Sequence, residues 1–271
     1  MTKPSTLDQM GNGFVFLQPP QRIISLVPSQ TELLFDLGLN EQVVGITKFC
    51  VHPNRWIKSK TIIGGTKNFH FDVIERLNPD LIIGNKEENY EEGIATLQKN
   101  FPVWMSDIIT IYDATNMIRS VARITNRKFE GIKIVKEIDQ AFKRLGTFKS
   151  ERILYLMWRN PWMGVASRTF IHSMLEKIGF TNVLTDHDRY PELSISDLQC
   201  LNPSIVLLSS EPFPFSEKHI PEIQQILPNA KIILVDGEMF SWYGSRMKLA
   251  PDYFKSVFGD ATNRGLSAID L

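Results

Sequence analysis

Cysteine is scarce: the chain of 271 residues carries two, Cys50 and Cys200. Two thiols cannot build a disulfide framework, so the fold must rest on buried apolar surface. One bridge between them and a reducing compartment are equally compatible with that count. An excess of charge is missing too, with 30 basic residues against 30 acidic ones. Such a balance gives no footprint for nucleic acid or for an anionic membrane surface. No run reaches the roughly 18 apolar residues of a membrane span. The opening MTKPSTLDQMGNGFVFLQPPQ lacks the basic start and apolar run of a secretory leader. As written, the chain is expected to be cytoplasmic; a periplasmic or cell-envelope protein whose leader had been removed would read the same way. The GxSxG elbow, the GxxxxGK[ST] phosphate loop, GxGxxG and HExxH are all absent. The expectation is therefore a protein that is not an enzyme and has no intrinsic cofactor.

What is present is apolar residue, at 43%, and enough length for two domains of about 100–150 residues each. RIISLV (22–27), VVGI (43–46), LIIG (81–84) and PVWMS (102–106) read as short buried strands. SQTELLFDLGL, capped by Ser29 or Thr31 and ended by Gly38, and FDVIERL (71–77) read as helices between them. Strands alternating with helices predict an α/β fold with parallel sheets. The order then recurs. LNPDLIIGNKE (77–87) returns 124 residues later as LNPSIVLLSSE (201–211), both closing on glutamate. RILYLM (152–157) matches RIISLV, HSMLEKIGF (172–180) matches the first helix, and KIILVD (231–236) matches the strand ending in Asp107. The chain is thus expected to hold two similar α/β lobes.

Between them, residues 113–148 contain no proline. A first helix should run to about Arg123 and break at Thr125-Asn126-Arg127. From Lys128 to Leu145, Phe129, Ile132, Val135, Ile138, Phe142 and Leu145 recur every three or four residues. That spacing predicts one amphipathic helix with these side chains buried, stopped by Gly146. The predicted organisation is an N-terminal α/β lobe (1–125), a bridging helix (126–148) and a C-terminal α/β lobe (149–271).

RIISLVPSQTELLFDLGL, the IGGTKNFHFDVIERLNPDLIIGN stretch and the helical bridge together resemble the helical-backbone (class III) substrate-binding proteins of iron–siderophore, haem and cobalamin ABC importers. The resemblance covers about residues 20–260. It implies two Rossmann-like lobes joined by one long α-helix and a metal chelate held in the cleft between them. It also implies an ABC permease as partner, docked through one surface glutamate per lobe. Register places Glu91 in the first of these positions; Glu238 stands only near the second. The alternative is a leaderless cytosolic protein that binds a tetrapyrrole or metal chelate, extending to a chelatase-like enzyme.

Ligands of open parallel sheets bind beyond the carboxyl ends of the strands. That rule nominates Lys48, Phe49, Cys50 and His52 after the second strand, Lys67 in the Gly64-Gly65 turn, and Lys86 and Glu87 after LIIG. In the second lobe it nominates Trp158, Arg159, Trp162, Glu211, Phe213, Phe240, Trp242, Tyr243 and Arg246. So many aromatics in loops require burial, either by a planar ligand stacked between rings or by packing within the protein. Cys50 and His52 stand two apart, and His52 alone could coordinate the iron or cobalt of a chelate; a buried cysteine beside a loop histidine is the other reading. Glu87 and Glu211 are either a pair of binding carboxylates or the chain emerging into water. The arginines and lysines would meet carboxylates of an anionic chelate.

Overall fold

The computed structural model describes residues 6–263. They fall into two compact units. The first comprises residues up to Ile108, Tyr112–Asp139 and Tyr243–Lys248; the second comprises Ile109–Ile111, Gln140–Trp242 and the residues from Leu249 on. The first unit opens with β1 (Thr6–Leu7) and β2 (Gly13–Phe14), an antiparallel hairpin. Asp8 in its turn accepts the backbone N–H groups of Met10, Asn12 and Met105, which pins the hairpin to the sheet.

There follow β3 (Ile23–Ser25), α1 (Pro28–Asp36), β4 (Val43–Ile46), α2 (Asn54–Ser59), β5 (Thr61–Ile62), α3 (Phe71–Leu77), β6 (Leu81–Asn85), α4 (Glu91–Gln98) and β7 (Val103–Ser106). The strands form one sheet in the order β5-β4-β3-β6-β7, all neighbours parallel. Every residue of β6 and β7 is buried, as expected where helices cover both faces. The first helix starts earlier than its side-chain caps suggest. Pro28 occupies the first turn, where its missing N–H costs nothing, and neither Ser29 nor Thr31 caps the helix.

Two helices come next, α5 (Ile111–Ile124) and α6 (Lys128–Lys143). The break falls at Asn126, which adopts a left-handed φ of 58°. The stripe that α6 buries differs from the expected one. Ile134, Val135, Ile138 and Phe142 are buried, but Phe129 is 86% and Ile132 51% exposed. Gly131 decides this. Its Cα lies so close to α5 that a Cβ would stand 2.4 Å from the Cβ of Ala122. That contact turns the Gly131 side of the first helical turn inward and leaves Phe129 and Ile132 outside.

The second unit contains β8 (Arg152–Trp158), β9 (Trp162–Gly164), α7 (Phe170–Ile178), β10 (Thr181–Asn182), β11 (Glu192–Leu193), α8 (Ile195–Leu201), β12 (Ile205–Ser209), α9 (Ile220–Ile226), β13 (Lys231–Val235), α10 (Glu238–Ser241) and α11 (Ala250–Asn263). The main sheet order is β11-β9-β8-β12-β13, with β10 pairing β8. β8, β12 and β13 are parallel like their counterparts β3, β6 and β7. β9 runs antiparallel to β8, because Arg159-Asn160-Pro161 turns the chain straight back on itself, and β11 pairs antiparallel with β9.

The repeated LNP segment has a structural cause. Asn78 and Asn202 each end a helix in the left-handed region, at φ 44° and 42°. A residue before proline is barred from continuing a helix, and asparagine tolerates the left-handed alternative. The carbonyls freed at each helix end are then claimed by an arginine opening the first strand. Arg22 Nε donates to Leu77 O at 2.7 Å, and Arg152 Nη2 donates to Leu201 O at 2.8 Å. The residue after the proline closes the arrangement. Asp80 Oδ1 accepts the Arg22 N–H at 2.8 Å, and Ser204 Oγ accepts the Arg152 N–H at 3.0 Å. The repeat is thus a device that fastens helix, turn and two parallel strands. Among the described residues, no helix is long and apolar enough to cross a membrane.

Candidate ligand-binding site

The carboxyl ends of the first sheet carry short polar residues in place of apolar ones: Asn85 ends β6 and Ser106 ends β7. Both are buried. Asn85 Oδ1 accepts the N–H of Glu87 at 2.8 Å and of Glu88 at 3.2 Å, while its Nδ2 donates to Ser106 Oγ at 3.0 Å. Asn89 Oδ1 accepts the Asn85 N–H at 2.9 Å, and its amide donates to Thr66 O at 3.0 Å. Gln30, from α1, donates to Ser106 Oγ at 2.6 Å. This amide network holds the loop 86–90 and the turn 64–67 in one place. Sequence reasoning missed it; the signal was the Asn and Ser at the ends of otherwise apolar strands.

Three expected ligand cations lie on this framework. Lys67 Nζ donates to Glu87 O at 2.7 Å. Lys86 pairs with Asp107 at 2.7 Å. Lys48 stands 5.1 Å from the centroid of the Phe49 ring. Phe49 is 51% exposed and rests on Gly65, where a Cβ would come 3.2 Å from the ring. Cys50, one residue on, is fully buried, which corrects its placement at the binding surface. Thr31 Oγ1 and Thr47 Oγ1 lie 3.0 and 3.2 Å from its sulfur, and burial pushes the thiol's pKa up. Such a thiol is a core residue, not a thiolate ligand. His52 is half-buried in the same loop, and among the described residues no group of three or more His, Cys, Asp or Glu could hold a metal ion. Glu87 is half-buried, and Glu91 is exposed at the start of α4.

The segment Tyr243–Lys248 lies along α1 and is spent on it. Gly244 approaches so closely that a Cβ would meet Ser29 O at 2.8 Å. Arg246 grips Glu32 with two bonds of 2.8 Å, and Lys248 reaches Asp36 at 3.3 Å. Tyr243 OH donates to Glu88 Oε1 at 2.5 Å. Arg246 and Tyr243, expected to meet ligand, are both buried and satisfied by the protein itself. Two of the five guanidinium N–H donors of Arg246 are thereby committed to Glu32.

In the second unit, Trp158 at the end of β8 is 39% exposed and packs edge-on against Phe213, ring centres 5.9 Å apart. Trp162 is buried and stacked on Phe215, with planes 6° apart. Arg159 is paired with Glu222 through bonds of 2.8 and 3.1 Å. Phe240 is fully buried between Tyr155 and Phe254, so it is a core residue and not the loop aromatic expected. Glu211 accepts from Ser241 Oγ at 2.6 Å and Trp242 Nε1 at 3.0 Å. Burial first, and the nearby charges of Glu238 and Asp236 after it, raise its pKa despite those bonds. Glu238 is half-buried, its N–H bound to Asp236. Of the expected aromatics, Phe49 and Trp158 are the two that present a large part of their rings.

The family described as "Periplasmic binding protein" matches residues 23–230. The chain belongs to the periplasmic binding protein family. Among relatives of this binding protein is an uncharacterized ABC transporter substrate-binding lipoprotein, YvrC, of Bacillus subtilis, 23% identical over 75% of this chain and 68% of that one. The vitamin B12-binding protein of Vibrio cholerae is 23% identical over 70% of this chain and 71% of that protein. A periplasmic heme-binding protein, RhuT from Roseiflexus sp. RS-1, superposes with a TM-score of 0.77 at 21% identity, covering 89% of this chain and 99% of the other. The binding protein shares its two-lobed fold with such helical-backbone (class III) receptors.

Proposed function

We propose that this binding protein captures a metal chelate, a cobalamin, haem or ferric siderophore, on the loops at the carboxyl ends of its strands and hands it to an ABC importer. The observation that carries the reading is that each unit exposes a strand-end ring, Phe49 in the first and Trp158 in the second, where Trp162, Phe240, Trp242 and Tyr243 are buried. Large apolar rings held by rigid neighbours at the surface are suited to stack on a planar or macrocyclic ligand. Lys48 at the Phe49 ring adds a positive charge for ligand carboxylates. Family membership supports capture rather than the insertion of metal into a tetrapyrrole.

The test is tryptophan fluorescence during separate titrations with cobalamin, haemin and ferric siderophores, with thermal stability read in parallel. Trp56, Trp104, Trp162 and Trp242 are buried, so Trp158 should supply most of the quenching. Saturable quenching by one chelate, a matching rise in melting temperature and loss of the signal in Trp158→Phe are expected. Absence of any saturable response across the panel would refute the proposal.

A further inference from the structure

The outward face of α6 has a composition that the balanced charge of the whole chain conceals. Lys128, Lys133 and Lys136 are all exposed on the part of this helix that belongs to the first unit. Asp139 is the one exposed acid from 128 to 139. The other two acids have cations outside the strip as neighbours: Glu130 lies 4.0 Å from Arg127, and Glu137, 4.0 Å from Lys133 within the strip, also lies 3.9 Å from Lys248. Phe129 and Ile132 project from the first turns of the same face, 86% and 51% exposed. A helix of 16 residues is about 24 Å long at 1.5 Å per residue.

We propose that this strip of α6 is a docking surface for an anionic lipid membrane. The balance of residues decides between occupants. Lysine is depleted where proteins bind one another, whereas lysines beside an aromatic are what lipid interfaces select. Phe129 and Ile132 enter the boundary between headgroups and acyl chains. The lysines rest their stems on the apolar surface and extend their ammonium groups to the phosphates. Gly131 is what makes this possible: by turning its own side of the helix into the protein, it forces the two apolar side chains out. The strip is independent of the strand-end loops, so it holds whether or not a chelate is the ligand.

The experiment is sedimentation of the full chain with vesicles of phosphatidylcholine alone or mixed equally with phosphatidylglycerol. Binding to the mixed vesicles at low salt is expected, with release as salt screens the charges. Each cation near such a surface contributes about a fivefold factor, so Lys133→Gln with Lys136→Gln should weaken binding by roughly 25-fold. Phe129→Ser should weaken it about tenfold. Lys177→Gln, an exposed cation on α7, should leave it unchanged. All these positions are exposed, so melting temperatures serve as a check that the fold is intact. Equal sedimentation with neutral vesicles, no sedimentation with anionic ones, or wild-type binding by the double variant would each overturn the proposal. The last two would turn attention to an acidic protein or a second copy as the occupant.

Discussion

Replacing Arg246 by methionine should destabilise the first unit strongly, because the Glu32 carboxyl then loses its partner. The two side chains are 10% and 16% exposed and share two hydrogen bonds of 2.8 Å. Removing one member of a buried pair costs about 3–5 kcal/mol, and the residual water at Glu32 favours the lower end, about 3 kcal/mol. For a chain of this size that is a fall in melting temperature of roughly 6–12 °C. Glu32→Gln on the Arg246→Met background should restore part of the loss, since no uncompensated carboxylate remains. A double-mutant cycle read by thermal or urea denaturation should therefore show a coupling of about 2 kcal/mol. Additivity within about 0.5 kcal/mol, or a melting temperature unchanged in Arg246→Met, would refute the argument that this pair holds the segment on α1.

Other outcomes follow from the same geometry. Glu211 titrates above its ordinary 4.5 when folded, so its contribution to stability is complete below that value and is lost as pH rises through the folded pKa. Glu211→Gln should flatten that decline while still accepting from Ser241 and Trp242; melting curves from pH 4.5 upward would show it, and an unchanged slope would contradict it. A thiol reagent should label the exposed Cys200 in the native protein and reach the buried Cys50 only after unfolding. Gly84→Ala would place a Cβ 2.7 Å from Asn89 Oδ1 and 2.9 Å from Met105 Sδ, costing about 1–3 kcal/mol. The same change should loosen the loop 86–90, seen as faster amide exchange at Glu87 and Glu88.

Much of the fold was legible because its causes are local. The Leu-Asn-Pro repeat encodes a left-handed helix end and a parallel strand within a few residues, and both copies formed where the letters recur. The break between α5 and α6 was legible for the same reason. The buried face of α6 was not, since Phe129 and Ile132 keep the right period and only the contact of Gly131 with Ala122 turns them outward. The candidate site was legible as a set of loops but not as a set of side chains. Phe240 and Phe49 both follow strands and look alike in the sequence. One is sealed by Tyr155 and Phe254, and the other lies bare on a glycine turn. Arg246 and Glu32 stand 214 residues apart, beyond the reach of any spacing rule.

That separation also sets an order of manufacture. Domains usually fold as they leave the ribosome, the N-terminal one first. Here the sheet of the first unit can assemble from residues 23–106, yet the charged side of α1 waits for Arg246 and Lys248. The first unit to be started is thus among the last to be finished. In arrested nascent chains its full resistance to protease should arise only once Lys248 has cleared the exit tunnel.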